Sequence, residues 1–133
     1  EDEARQRALA KELNVADRVH FLGSLDHAVL PLALSAADAM VLPSASEGLA
    51  NAWVEALACG TPLVICDVGG ARELVKDPSA GRLVPRDPAA IAQAVREIVA
   101  DPPSPERVAE HAAGFSWQAN AAALASYYER LLA

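Results

Sequence analysis

At 133 residues, 53% of them hydrophobic and 22% charged, the chain has the size of one domain and enough apolar matter for a real core, which excludes a disordered segment. A formal net charge of −7 argues against nucleic acid and against an anionic membrane surface as partners, since both demand clustered cations. Two cysteines make no disulfide framework, no apolar run approaches the roughly 18 residues of a membrane span, and the charged start does not read as a signal peptide, so a cytoplasmic setting is expected.

Taken in chain order, residues 1–14 read as a helix, with Leu9 and Leu13 four apart and charges on the other faces. Residues 19–22 form a short apolar run that reads as a strand, and Asp26 is placed to cap a helix over 29–36, with Pro31 tolerated in its first turn. A second strand over 39–42 stops at Pro43 and Ser44; a helix over 51–59 follows and ends at Gly60. Residues 63–66 give a third strand, Gly69-Gly70 a turn, 71–75 a short helix and 81–84 a fourth strand. Asp87 introduces a helix over 88–100, prolines at 102, 103 and 105 break the chain before 106–113, and Ser116 caps a last helix reaching Leu132. Strands alternating with helices imply parallel pairing through right-handed crossovers: an α/β, Rossmann-like parallel sheet flanked by helices, with 1–133 as a single domain.

One segment carries chemistry. Glu47-Gly48-Leu49-Ala50-Asn51 leads into the 51–59 helix, and Glu55 lies on that helix with seven residues between it and Glu47. A helix that starts at the carboxyl edge of a parallel sheet sits where open α/β folds bind ligands. Were the segment helical throughout, the two carboxylates would lie roughly 12 Å apart at 1.5 Å per residue. That span suits one carboxylate accepting sugar hydroxyls and the other ribose hydroxyls of a nucleotide-diphosphate sugar, with backbone N–H groups facing the anionic oxygens between. Glu55 has an ordinary reading as a solvent-facing helix residue, but Trp53, Val54, Ala56, Leu57 and Ala58 around it point to an enclosed helix in which a charge needs a partner. Glu47 has one as a favourable charge at a helix start, Gly48 as a plain turn glycine, and Asn51 either caps the helix or offers its amide to a hydroxyl.

Several further motifs follow in order: Arg18-Val19-His20-Phe21-Leu22-Gly23, Ala37-Asp38-Ala39-Met40-Val41-Leu42-Pro43-Ser44, Cys59-Gly60-Thr61-Pro62-Leu63-Val64, Val68-Gly69-Gly70-Ala71-Arg72-Glu73-Leu74-Val75, Gly81-Arg82-Leu83-Val84-Pro85 and Phe115-Ser116-Trp117. With the glutamate pair, they make the chain resemble the C-terminal, donor-binding domain of retaining glycosyltransferases of the GT-B fold, in particular family 4 (group 1). The resemblance implies transfer of a sugar from a nucleotide-diphosphate donor to an acceptor hydroxyl, with Glu47 placing the donor sugar in the catalytic site and Glu55 holding the ribose. Gly48, Leu49, Ala50 and Asn51 would contribute to donor binding, and Gly23, Ser24 and Leu25 match the loop that contacts the nucleobase. Leu49 and Ala50 depart from the family's usual aromatic and second glycine. No cofactor or metal is implied. Residues 115–133 match the terminal helix that crosses toward the other domain of a GT-B enzyme. The strand and the Arg/Lys pair that handle the diphosphate, and the N-terminal acceptor domain, have no counterpart, so a truncated, catalytically incomplete half is expected, with an exposed sheet edge open to self-association.

Other features are weaker. Gly69-Gly70 reads either as an anion-binding nest or as a plain turn. His20 reads as a strand side chain; His27 and His111 show no metal-ligand spacing. Cys59 and Cys66 read as small packing residues, as do Trp53, Trp117, Tyr127 and Tyr128, with an interface to the other domain as the alternative that the resemblance implies for the two tyrosines. No Gly-x-Gly-x-x-Gly and no Walker-type Gly-Lys-Ser/Thr occurs. Two other readings stay open: a non-catalytic nucleotide-binding or assembly module, and a nucleotide-sugar epimerase of GT-B architecture.

Overall fold

A computed structural model describes residues 2–132. Glu1 and Ala133, the ends of the expected first and last helices, lie outside the described residues. The elements are α1 (Asp2–Glu12), a 3-10 turn (Ala16–Arg18), α2 (Leu30–Ser35), β1 (Met40–Leu42), α3 (Asn51–Ala58), β2 (Leu63–Cys66), α4 (Ala71–Leu74), β3 (Gly81–Val84), α5 (Pro88–Ala100), α6 (Pro105–Glu110) and α7 (Trp117–Leu132).

The strands form one parallel sheet in the order β1-β2-β3, with Met40 opposite Leu63 and Leu63 opposite Gly81. Each crossover carries a helix, as parallel neighbours require. All four residues of β2 are buried, because it is the central strand and both faces are covered. Leu63 and Ile65 pack with Trp53, Leu57, Leu74 and Val108 from α3, α4 and α6. Val64 points the other way, onto Ala94 and Ile98 of α5. That period-2 split of one strand between two helix layers defines the Rossmann-like α/β fold. Full burial of Trp53, Leu57, Leu63 and Ile65 stabilises the fold by about 1.5–3 kcal/mol per side chain. The Trp53 indole N–H is buried without a hydrogen-bond acceptor, which offsets part of that gain.

Caps match the sequence where a side chain was well placed. The Asp87 carboxylate accepts from the Ala90 N–H (2.9 Å), and the Ser116 hydroxyl accepts from the Ala119 N–H (3.1 Å). Asp26 differs: its carboxylate accepts from the Ala28 N–H (3.1 Å), closing a local turn two residues long, and no side chain caps α2. Residues 19–22 also differ from expectation. They form no strand, and Val19 and Leu22 are exposed. A strand exists only through ladder partners, and among the described residues none is available to these four. Phe21 instead lies under the Arg7 guanidinium, 4.2 Å from the ring centroid.

Trp117, Tyr127 and Tyr128 are not packing residues either. No residue of α7 is buried, and the Trp117 side chain is 79% exposed. The helix is apolar enough to pack, but among the described residues no element buries any of its side chains. No helix among the described residues is long and apolar enough to cross a membrane. Cys59 and Cys66 are free thiols, the first half-buried and the second buried.

Two contacts lock the last strand in place. Gly81 has φ +137°, and a Cβ there would overlap the Leu63 carbonyl oxygen of β2. The turn before β3 is fastened to the end of α6, where the Ser79 hydroxyl lies 2.7 Å from His111 Nε2 and also bonds the Asp77 carboxylate. Hydrogen bonds from the Ser79 hydroxyl and from the Ser79 N–H hold the Asp77 carboxyl below its ordinary value; burial opposes them, and His111 and Arg107 add lesser attraction.

Gly81→Ala is expected to destabilise the chain by about 3 kcal/mol or more, through left-handed strain and loss of the β2–β3 ladder; urea unfolding monitored by circular dichroism measures it. Asp77 has a lowered folded pKa, so its contribution is full above the ordinary carboxylate value of 3.8 and is lost as pH falls through the folded value. Asp77→Asn should therefore melt earlier than the parent at pH 7, with the gap closing as the solution is acidified below pH 3.8.

Candidate functional site

The carboxyl ends of the three strands point to the loops that carry the expected chemistry. After β1 the chain does not continue into helix; α3 begins at Asn51, with Ala50 in an extended conformation before it. Glu47 to Ala50 is a loop, so the 12 Å separation estimated from a continuous helix does not apply. Glu47 is half-buried, and its carboxylate accepts from the Ser44 hydroxyl at 2.8 Å. The bond is local, between residues three apart, and it turns the carboxylate back toward the end of β1.

The Gly69-Gly70 turn holds this loop from the other side. Gly69 has φ +51°, and a Cβ there would overlap the carbonyl oxygens of both Glu47 and Gly48. The Gly70 N–H donates to the Gly48 oxygen at 2.8 Å. That donor is spent on the loop, so the turn acts as a brace rather than as an anion nest. Sequence reading saw a strand-to-helix turn here and missed the partner, because nothing in the order of residues says which loop lies opposite.

Two clefts open beside the braced loop. One, of about 550 Å³, lies over the strand ends and is lined by Ser44, Asp67, Arg72, Val84 and Arg86 among others. Arg72 pairs with Asp67, and Arg86 Nε donates to the Pro43 oxygen at 3.1 Å, joining the exits of β1 and β3. The other cleft, of about 680 Å³, lies between α3 and the start of α7. Leu49, Asn51 and Glu55 line it together with Phe115, Trp117 and Asn120. Glu47 thus stands on the loop joining the two clefts, tied to Ser44 of the first and two residues before Leu49 of the second.

Of the residues singled out from sequence, Leu49, Asn51 and Glu55 come together in one cleft. Gly48 and Ala50 belong to the same loop, with Gly48 exposed and Ala50 half-buried. Gly23, Ser24 and Leu25 line neither cleft. Asn51 is the first helical residue, not the cap, and no side chain caps α3. Among the described residues Glu55 forms no ion pair. The α7 residues were not expected in the site; the Phe115-Ser116-Trp117 motif and Ser116 as a helix cap say where α7 starts but not what it faces.

Ser79, His111 and Asp77 are close, but both Ser79 and Asp77 meet the same imidazole nitrogen, at 2.7 and 3.7 Å. A nucleophile array needs the carboxylate on the other nitrogen, so the cluster is a tether. Among the described residues no three His, Cys, Asp or Glu side chains are grouped to hold a metal ion.

A family model described as glycosyl transferases group 1 matches residues 1–115. The chain is 42% identical over 127 residues to D-inositol 3-phosphate glycosyltransferase 2 of Catenulispora acidiphila, covering 92% of this chain and 30% of that protein. It is 40% identical over 125 residues to glycogen synthase of Mycobacterium tuberculosis, covering 90% of this chain and 30% of that protein. Among solved structures it superposes on sucrose-phosphate synthase from Thermosynechococcus elongatus with a TM-score of 0.86 and 35% identity, over 98% of this chain and 34% of that one. The chain thus spans 30% of the length of these curated relatives. A family model that runs over both loops of the site and the whole sheet, and close relatives that cover nearly all of this chain, lead to one statement: the chain belongs to the group 1 glycosyl transferases.

Proposed function

We propose that the chain is the donor-binding, C-terminal domain of a retaining family 4 glycosyltransferase of GT-B architecture, moving a sugar from a nucleotide-diphosphate donor to an acceptor hydroxyl. The observation that carries this is the cleft that gathers Leu49, Asn51 and Glu55 beside the braced Glu47–Gly48 loop. Glu55, without an ion-pair partner, is free to accept both vicinal hydroxyls of a ribose. Glu47 is positioned by Ser44 to accept a hydroxyl of the donor sugar. In the reaction the bond from the anomeric carbon to the diphosphate oxygen breaks, the bond to the acceptor oxygen forms on the same face, and the acceptor proton leaves. Charge must be stabilised on the departing diphosphate and on the oxocarbenium-like sugar.

The uncapped start of α3 turns backbone N–H groups toward the first of these charges. In this reading no metal or other cofactor takes part. The remaining diphosphate contacts come from an Arg and a Lys on an earlier strand, and the acceptor site belongs to a second domain, which also covers the exposed apolar residues of α7. The outer edge of β1 offers a further surface for pairing with another copy. The setting is cytoplasmic, and the isolated chain binds donor without turning it over.

Titration with UDP, GDP and ADP tests the reading. One nucleotide should be preferred, and a millimolar binder at about 5 mM should add roughly 1 kcal/mol and raise the melting temperature by a few degrees. Glu55→Ala should remove most of that shift. Gly69→Ala, which forces the brace off the Glu47–Gly48 loop, should remove it while leaving the sheet folded. Equal response to all three nucleotides, unchanged by Glu55→Ala, would refute the donor site.

A further inference from the structure

The donor reading makes no use of the first cleft, over the strand ends. That cleft collects polar groups from the exits of all three strands: Ser44 after β1, Asp67 after β2 and Arg86 after β3, with Arg72 added from α4. Ligands of open parallel sheets lie outside the carboxyl ends of the strands. Between the polar groups the walls are apolar, among them Val68 and Val84. A volume of about 550 Å³ is that of a small-molecule site.

Charge separates the two clefts. In a chain of formal net charge −7, two arginines line this cleft and no lysine or arginine lines the other. Each guanidinium is anchored at one edge and open at another. Arg86 Nε donates to the Pro43 oxygen at 3.1 Å, and one terminal nitrogen of Arg72 pairs with the Asp67 carboxylate. Among the described residues, neither terminal nitrogen of Arg86 has a hydrogen-bond partner, nor do the other two nitrogens of Arg72. A planar fork held in place with unused N–H groups is prepared for two oxygens of an anion. Asp67 offsets Arg72, which leaves Arg86 as one uncompensated positive charge. The Ser44 hydroxyl has one proton and donates it to Glu47, so toward the cleft its oxygen only accepts.

We propose that the first cleft is a second anion site, separate from the donor's diphosphate, which binds a small hydroxylated phosphate monoester between Arg72 and Arg86. The phosphate oxygens take the open edges of the two guanidiniums, and the hydroxyls of the ligand donate to Asp67 and Ser44. The site goes beyond the donor reading and does not rest on it, since Leu49, Asn51 and Glu55 line the other cleft. A phosphorylated lipid head would share this chemistry, but the net charge of the chain opposes an anionic membrane surface. The occupant is a free small molecule.

Amide NMR of the whole chain tests this. Glycerol 3-phosphate at about 5 mM mostly fills a millimolar site. It should shift the amides of Asp67, Val68 and Arg86 and leave those of Asn51 and Glu55 in place, whereas glycerol should shift none of them. Inorganic phosphate should bind about fivefold more weakly, for want of the ligand hydroxyls. Arg86→Ala should weaken glycerol 3-phosphate by about tenfold, as loss of hydrogen bonds from a charged group does. Arg86→Lys, which keeps the charge without the fork, should recover part of that loss. Asp67→Asn should tighten binding, because a repelling charge goes and an acceptor oxygen stays. Glu55→Ala should bind glycerol 3-phosphate as the parent does. Arg86 and Asp67 are exposed, so circular dichroism should show these variants folded.

No shift at Asp67, Val68 or Arg86, or a shift that Arg86→Ala does not reduce, would overturn the site and leave the donor reading standing. Displacement of glycerol 3-phosphate by UDP, with weaker binding in Glu55→Ala, would assign the anion to the donor instead and also overturn it. Retention of the chain on phosphatidic acid vesicles, lost in Arg86→Ala, would overturn the choice of a free ligand.

Discussion

The hydrogen bond from the Gly70 N–H to the Gly48 oxygen, 2.8 Å long, joins the two loops on which the site is built. It is possible only because residue 69 has no side chain: φ is +51°, and the carbonyls of Glu47 and Gly48 occupy the place of a Cβ. One contact between main chains thus decides where Glu47 stands. The carboxylate is then turned by Ser44, and Leu49 and Asn51 are delivered to the second cleft. A loop held by its backbone keeps its course while its side chains remain free for a ligand.

The sheet supplies the frame against which this contact works. β2 is buried along its whole length and sends alternate side chains into two helix layers, so its carboxyl end cannot shift without disturbing both cores. The Gly69-Gly70 turn leaves that end, and the Glu47 loop leaves the neighbouring strand β1. Arg86, after β3, reaches back to the Pro43 oxygen and ties the outer strand exits across the same edge. Rigid strands with working residues on the loops beyond their carboxyl ends are the usual division of labour in open parallel sheets.

The two sides of the chain differ in how far they are supported. From β1 to α6 every element packs on the sheet or on a helix that does, and the Asp77–Ser79–His111 tether closes this body. The 19–22 segment and α7 lie at its margins with apolar side chains exposed. Both have the composition of packed elements, and neither has a covering partner among the described residues. In α7 this exposure coincides with one wall of the larger of the two clefts, so a helix with no buried residue meets Asn51 and Glu55 of α3 at one place.

Much of this was legible in the residues alone. The apolar run after Pro62 located β2, Gly81-Arg82-Leu83-Val84 before Pro85 located β3, both to the residue, and Asp87 with Pro88 located the start of α5, because strand burial and helix capping are local in sequence. The glutamate pair and its surrounding motifs marked the candidate site for the same reason: its loop and helix are contiguous. Residues 19–22 failed as a strand because an apolar run specifies a willingness to pair, not a partner. Trp117 failed as a packing residue because hydrophobicity cannot say which face of a helix is covered. Only the tertiary structure decided that Gly69 presses on Glu47 and Gly48, that Asn51 starts the helix rather than caps it, and that Asn120 faces Glu55 across a cleft. The first and the last of these join segments about 20 and 65 residues apart, set by the sheet register and the right-handed crossovers, and no local pattern encodes them.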